Sequence, residues 1–247
     1  MADSLGWRGK FGVLGPSTNT IVQPDFDDMR PVGVTNHYSR IFTPNAKAIS
    51  NESFMAGTAV IADNVMDAVD SAMTCAPSYF VMGMSAVTFI GGALGAERFE
   101  KSILDRTGLG VSMGSAATAA ALRACGAKRV AFLSPYFPSA NAHVRQYFED
   151  VGFTVVRDLC LQCPSWTAIA EVEPKVLVER INALNGDDVD AIVQVGTNLS
   201  MVRLAAAAEL WLGKPVIAIN TATYWHALRS NGITDKKSGF GQLLERF

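Results

Sequence analysis

The sequence predicts an α/β fold of two similar lobes, each a parallel sheet covered by helices. Three observations carry this. Apolar strand-like runs alternate with helix-like ones along the chain, the pattern of parallel strands joined by crossover helices. Val81-Met82-Gly83-Met84-Ser85 and Val193-Gln194-Val195-Gly196-Thr197-Asn198 are each an apolar run that breaks at a glycine, with hydroxyl residues following. Val13-Leu14-Gly15-Pro16-Ser17 and Phe132-Leu133-Ser134-Pro135-Tyr136 make a second such pair. Finally, Ala121-Leu122-Arg123 with Gly126 is echoed by Ala227-Leu228-Arg229 with Gly232. Breaks of this kind fall at the carboxyl ends of strands, where ligands bind. Four of them from two halves predict one site shared between two lobes.

The elements follow in order. Strands are expected at Phe11 to Leu14, Pro31 to Thr35 and Tyr79 to Met82, with helical spacing from Ala46 to Ala68. Leu109 to Met113 reads as a strand and Ser115 to Ala124 as a helix, which Gly126 closes as a left-handed cap. Strands at Arg129 to Leu133, Thr154 to Leu159, Ala191 to Val195 and Pro215 to Ile219 alternate with helices. Those helices are Ala140 to Val151, Pro174 to Leu184, Met201 to Leu212 and Thr221 to Ser230. Right-handed crossovers put all the breaks on one edge. The expected division is residues 1–108 plus 215–247 for lobe one and 109–214 for lobe two.

Composition narrows the function. The 247 residues carry 21 basic and 23 acidic side chains, a net charge of -2. No basic patch interleaved with aromatics appears, which argues against nucleic acid. No apolar run reaches the ~18 residues of a membrane span. The first residues lack the basic-then-apolar order of a secretory signal. The expected location is therefore cytoplasmic, where Cys75, Cys125, Cys160 and Cys163 stay reduced. Cys160-Leu161-Gln162-Cys163 has half the spacing of a zinc or redox motif, but no second pair completes a ligand set. No metal is expected.

Several residues could carry chemistry. Ser17, Thr18 and Asn19 follow the first strand, where backbone amides and a helix dipole suit an anion; a plain helix cap is an equal reading. Tyr136, at the matching place in lobe two, can donate to a carboxylate or a developing enolate, or simply pack between prolines, with Asn141 capping the next helix. Arg40, after His37-Tyr38-Ser39, offers a bidentate cation for a carboxylate. His226 is the one base near a site loop that titrates near neutral pH.

Taken together, these pieces resemble the maleate cis-trans isomerase and arylmalonate decarboxylase group of the aspartate/glutamate racemase superfamily. Pro16-Ser17-Thr18-Asn19-Thr20 is similar to the carboxylate-binding run of the isomerase branch. Ala117-Thr118, Leu122-Arg123, Gly126-Ala127, Arg129-Val130, Pro135-Tyr136 and Asn141 follow the second-lobe pattern. Lys214-Pro215-Val216 through Ala222-Thr223-Tyr224 resembles the closing segment. The resemblance implies two flavodoxin-like lobes related by a pseudo-two-fold, no cofactor, and a substrate held between the lobes. It also implies cysteines facing the substrate, at positions that fall here on Gly83 and Gly196. Glycine supplies neither nucleophile nor proton.

The resulting expectation is a cofactor-independent enzyme acting on a small carboxylate, most simply a dicarboxylate, through a stabilised enolate in a decarboxylase-like reaction. Tyr136, Ser85 and Thr197, with Gly83 and Gly196, form the expected catalytic set. Ser17, Asn19, Met84, Asn198 and Arg40 form the expected binding set. A maleate isomerase, a non-catalytic carboxylate binder, and a redox or metal protein built on Cys160 and Cys163 are the alternatives. The neutral Leu204 to Leu212 surface allows a homo-oligomer.

Overall fold

The computed structural model describes residues 3–247. Its first parallel sheet has the order β2-β1-β3-β4, from β1 (Gly9–Pro16), β2 (Val34–Ile41), β3 (Tyr79–Met82) and β4 (Val111–Ser112). The second repeats that order as β6-β5-β7-β8, from β5 (Arg129–Ser134), β6 (Thr154–Cys160), β7 (Ala191–Gln194) and β8 (Val216–Ala218). The central strands are buried almost throughout. This explains why they read as continuous apolar runs rather than alternating ones.

In both sheets the chain's first strand lies between its second and third. The connections therefore leave in opposite directions from β1 and β3, and again from β5 and β7. A crevice opens at the carboxyl ends of such strand pairs. The four glycine and proline breaks lie at these ends.

The helices are α1 (Val22–Met29), α2 (Asn51–Asp63), α3 (Val65–Met73), α4 (Gly92–Thr107), α5 (Gly114–Ala124), α6 (Pro138–Asp150), α7 (Pro174–Leu184), α8 (Val202–Leu212), α9 (Ile219–Ser230) and α10 (Gln242–Arg246). The helical stretch expected at Ala46 to Ala68 starts instead at Asn51. Ser50 caps it by accepting from Ser53 N, and it breaks at Asn64 into α2 and α3. The second strand runs on through His37 and Arg40, because β2 pairs with β1 in unbroken register from Gly9↔Val34 to Pro16↔Ile41.

The strands nearest the expected lobe boundaries pair otherwise than that division implies. β4 belongs to the first sheet through Phe80↔Val111 and Val81↔Ser112. β8 belongs to the second through Ile192↔Val216. What returns to lobe one after β8 is α9, which packs on α1, α5 and β3.

Each lobe has its own aromatic core. Tyr224 of α9 stacks on Phe26 at 5.1 Å and meets Phe11 edge-on in the first. Phe148 touches Phe132 and Phe153 in the second. Phe89, in the loop after β3, crosses to Tyr147 and Phe148 at 5.4 and 5.9 Å. Phe54 of α2 crosses to Tyr136 and Trp166 at 5.4 and 5.0 Å. Buried aromatic pairs of this kind fix the two lobes against each other.

Candidate functional site

Where the lobes meet, a small cavity is lined by Pro16 at the end of β1 with Thr18 and Asn19 after it, and by Met84, Ser85 and Ala86 after β3. The second lobe contributes Tyr136 after β5 and Gly196, Thr197 and Asn198 after β7. Ile61 of α2 with Trp166 and Ile169 of the loop before α7 complete an apolar wall. Thus one turn from each central strand end meets at one point.

Hydrogen bonds across and within the lobes set these turns. Asn19 Nδ2 donates to Thr197 Oγ1 at 3.0 Å, and Thr197 Oγ1 donates to Gly83 O at 2.8 Å. Thr20 N donates to Asn198 Oδ1 at 2.9 Å, and Asn198 Nδ2 donates to Trp166 O at 2.9 Å. Asn19 Oδ1 accepts from Ile21 N and Val22 N, so it also starts α1. Asn19, Thr197 and Asn198 are all buried. Their side chains are therefore scaffolding for the turns as much as free ligand groups. The main-chain N–H groups of Met84, Ser85, Thr197 and Asn198 find no acceptor among the described residues. Buried donors of this kind need a partner.

Tyr136 OH lies 2.6 Å from Ser85 Oγ, both nearly inaccessible. Burial pushes the phenol well above its ordinary value, and the Ser85 bond offsets only part of that; it is neutral across the physiological range. Its turn is braced from behind. Tyr136 N donates to Ser134 Oγ at 3.1 Å, and Ser134 Oγ bonds to Asn141 Oδ1. Asn141 Nδ2 in turn donates to Asp158 Oδ2 at 2.8 Å. Asn141 thus anchors the turn rather than capping α6.

The remaining expected residues lie elsewhere. Ser17 is exposed, and its Oγ accepts from Thr43 N at 2.9 Å. Arg40 points away from the cavity lining: its guanidinium donates to Asn19 O at 2.8 Å and Pro16 O at 3.4 Å, bracing the loop rather than a ligand. His37 pairs with Thr35 on β2. His226 Nδ1 lies 2.8 Å from the buried Ser112 Oγ, and burial lowers its affinity for a proton. Cys160 and Cys163 are free thiols. Burial pushes Cys163 up to about 11 and raises Cys160 as well, so neither is a ready thiolate. Their turn serves through its backbone: Gln162 N and Cys163 N donate to Tyr136 O and Pro135 O.

Gly83 and Gly196 differ in what they could accept. A Cβ at Gly83 would sit 3.1 Å from Leu14 O and 3.2 Å from a Val22 methyl, a tight fit. Gly196 has φ +102°, and a Cβ there would lie 2.4 Å from Pro135 Cδ. Only glycine suits that backbone.

A family model described as arylmalonate decarboxylase matches residues 21–244. The chain belongs to the arylmalonate decarboxylase family. Among curated relatives of this family member, the maleate isomerase of Nocardia farcinica is 24% identical over 96% of both chains. The arylmalonate decarboxylase of Bordetella bronchiseptica is 26% identical over 67% of this chain and 70% of its own. Among solved structures, a Nocardia farcinica maleate cis-trans isomerase mutant with a covalently bound succinylcysteine intermediate superposes with a TM-score of 0.84. It is 25% identical and covers 96% of this chain and 98% of that one.

Ile61, Trp166 and Ile169 line the cavity of this arylmalonate decarboxylase family member without having been foreseen in the sequence. Trp166 and Ile169 stand in a loop with no strand-end signature.

Proposed function

We propose that this family member is a cofactor-independent lyase that removes a carboxylate from a small malonate-like diacid through an enediolate held between the lobes. The observation that carries this is the pair of turns, Met84–Ser85 and Thr197–Asn198, whose main-chain N–H groups lack acceptors among the described residues and border one cavity. The C–C bond to the departing carboxylate breaks and carbon dioxide leaves. The electron pair stays as an enediolate whose oxygens these amides receive. Preorganised donors aimed at developing charge are the largest single source of rate in such reactions. Tyr136, whose phenol lines the cavity beside Ser85, stands to return a proton to carbon and is reprotonated by water.

Gly83 and Gly196 stand, on this reading, where the superfamily has cysteines. No cysteine is among the residues lining the cavity, so a thiol-adding isomerisation lacks its nucleophile. A second reading, maleate isomerisation, is favoured by full-length similarity to the Nocardia farcinica maleate isomerase. Purified protein offered substituted malonates, maleate and hydroxy-diacids separates the two. Carbon dioxide release from a malonate supports the lyase reading. Robust conversion of maleate to fumarate overturns it.

A further inference from the structure

One ionisable group is tied to the cavity wall from behind. Asp25, half-buried on α1, accepts at Oδ2 from Asn220 Nδ2 at 2.8 Å. The same nitrogen donates to Thr197 O at 2.9 Å. Both amide protons of Asn220 are used, while its Oδ1 is buried without a partner among the described residues. Its orientation is therefore decided on the nitrogen side alone. Flipping the amide would set Oδ1 against both the Thr197 carbonyl and the Asp25 carboxylate, acceptor against acceptor. The circuit closes on itself: Thr197 Oγ1 accepts from Asn19, and Asn19 Oδ1 accepts from the amides that open α1.

We propose that Asp25 is a positioning residue for the site: its carboxylate fixes the Asn220 amide, and that amide fixes the Thr197–Asn198 turn. The inference rests on the reading of this turn as the anion cradle. When Asp25 is ionised it can only accept, and the arrangement holds. When it is protonated its O–H can donate to Asn220 Oδ1, which rewards the flipped amide and leaves Thr197 O without its donor. Burial lifts Asp25 to about 6 against the opposing Asn220 bond; Asp28 on the same helix raises it further, and Arg203 of α8 holds it down. Arg203 is itself paired with Asp28. The hydroxyls on the neighbouring elements, Tyr38 of β2 and Tyr224 of α9, are pushed upward by burial and stay neutral. Asp25 is thus the group in this circuit that changes charge near neutrality, and the turn is held above its titration and loosened below it.

Two measurements test this. The first needs no substrate: the ¹⁵N amide signals of Thr197 and Asn198 are followed by NMR from about pH 4.5 to about pH 8. Both should move with a midpoint near that of Asp25 in the wild type and stay flat in Asp25→Asn. Amides that do not titrate, or that titrate equally in Asp25→Asn, overturn the proposal even if the variant is fully folded. The wild-type titration alone decides it if the variant does not fold. The second is kinetic. On a substrate that the wild type decarboxylates, kcat/KM should fall below pH ~6 in the wild type. In Asp25→Asn it should be lower by about five- to tenfold at neutral pH, the weight of one hydrogen bond, and should lose that acid limb. Asp25→Glu should restore the limb; an acid limb unchanged in Asp25→Asn overturns the proposal. If the wild type acts on no small carboxylate, the proposed function fails while the NMR titration still decides the role of Asp25.

Discussion

Replacing Gly196 by alanine adds one methyl group, yet the structure predicts a large cost. The backbone there has φ +102°, where an L-residue pays about 1–3 kcal/mol of strain. The new Cβ would lie 2.4 and 2.5 Å from Pro135 Cδ and Cγ. A proline ring cannot rotate away, so the overlap resembles overpacking, at about 1–3 kcal/mol. The sum is roughly 2–6 kcal/mol, a substantial part of a typical total of about 5–15 kcal/mol. For a chain this size it lowers Tm by roughly 5–20 °C.

Gly126→Ala is the control. Gly126 has φ +70° with nothing within 4 Å of its would-be Cβ, so it bears only the backbone strain, about 1–2 kcal/mol. Urea and thermal unfolding of the two variants side by side isolates the Pro135 contact. If Gly196→Ala unfolds within about 0.5 kcal/mol of Gly126→Ala, the close approach of the two site turns is not a constraint and the reasoning fails. The result bears on function. A thiol cannot simply be put back at Gly196 in this backbone, so a silent Gly196→Cys variant would report strain rather than the wrong family position. Gly83→Cys, with its milder contacts, is the cleaner restoration.

Tyr136→Phe should lower turnover about 10²–10³-fold, the usual cost of one lost preorganised donor. Fold stability should fall by about 1–3 kcal/mol, because buried Ser85 loses its partner; Cys160→Ser, measured in parallel, should leave turnover unchanged. Asn19→Ala should reduce both activity and stability. Its side chain makes one bond across the lobes and two at the start of α1, a loss of about 1–2 kcal/mol by the measure of helix caps; unfolding at wild-type urea concentration would contradict this. Asp25→Asn should stabilise the protein at neutral pH. Folding raises Asp25 from 3.8 to about 6, so the folded state holds the proton more tightly. That stability is present below about 3.8 and lost as pH rises through about 6, roughly 2–3 kcal/mol in all. Urea unfolding at pH 4 to 7 should show the slope in the wild type and not in the variant.

Much of this site was legible because parallel sheets leave little choice about where strand ends go. Once Gly83, Gly196, Pro16 and Tyr136 were placed at carboxyl ends, their meeting followed from handedness. What failed to show has physical causes. Arg40 and Ser17 share the site's neighbourhood, but Arg40 on β2 turns onto the carbonyls of Pro16 and Asn19, and Ser17, in the turn after β1, bonds to Thr43 instead of facing the cavity. β4 is two residues long, and nothing in Val111-Ser112 says which sheet it joins; the pairing to β3 decides that. Helix α1 has only eight residues, too few for a clear period. Glycines at both ends of α4 and within it masked that helix. Trp166 reaches the cavity from a loop, held by Phe54 and Asn198, contacts that no local pattern encodes.

The charge of the cavity is informative in its own right. Among the described residues, none that lines it is ionised at neutral pH, and Arg40 of β2 is engaged with the main-chain carbonyls of Pro16 and Asn19. An ion pair to a carboxylate about to leave as carbon dioxide would stabilise the ground state more than the transition state, and so would raise the barrier. Neutral amides fixed at the two turns do the opposite. On the proposed lyase reading they gain most when charge moves onto the enediolate oxygens, and they need no reorganisation to do so. That benefit depends on the amides staying put, which explains why so many polar side chains here bond to one another rather than to solvent. On the same reading a half-buried, ionised Asp25 is tolerated because it lowers stability at neutral pH while holding still a turn whose geometry the proposed chemistry requires.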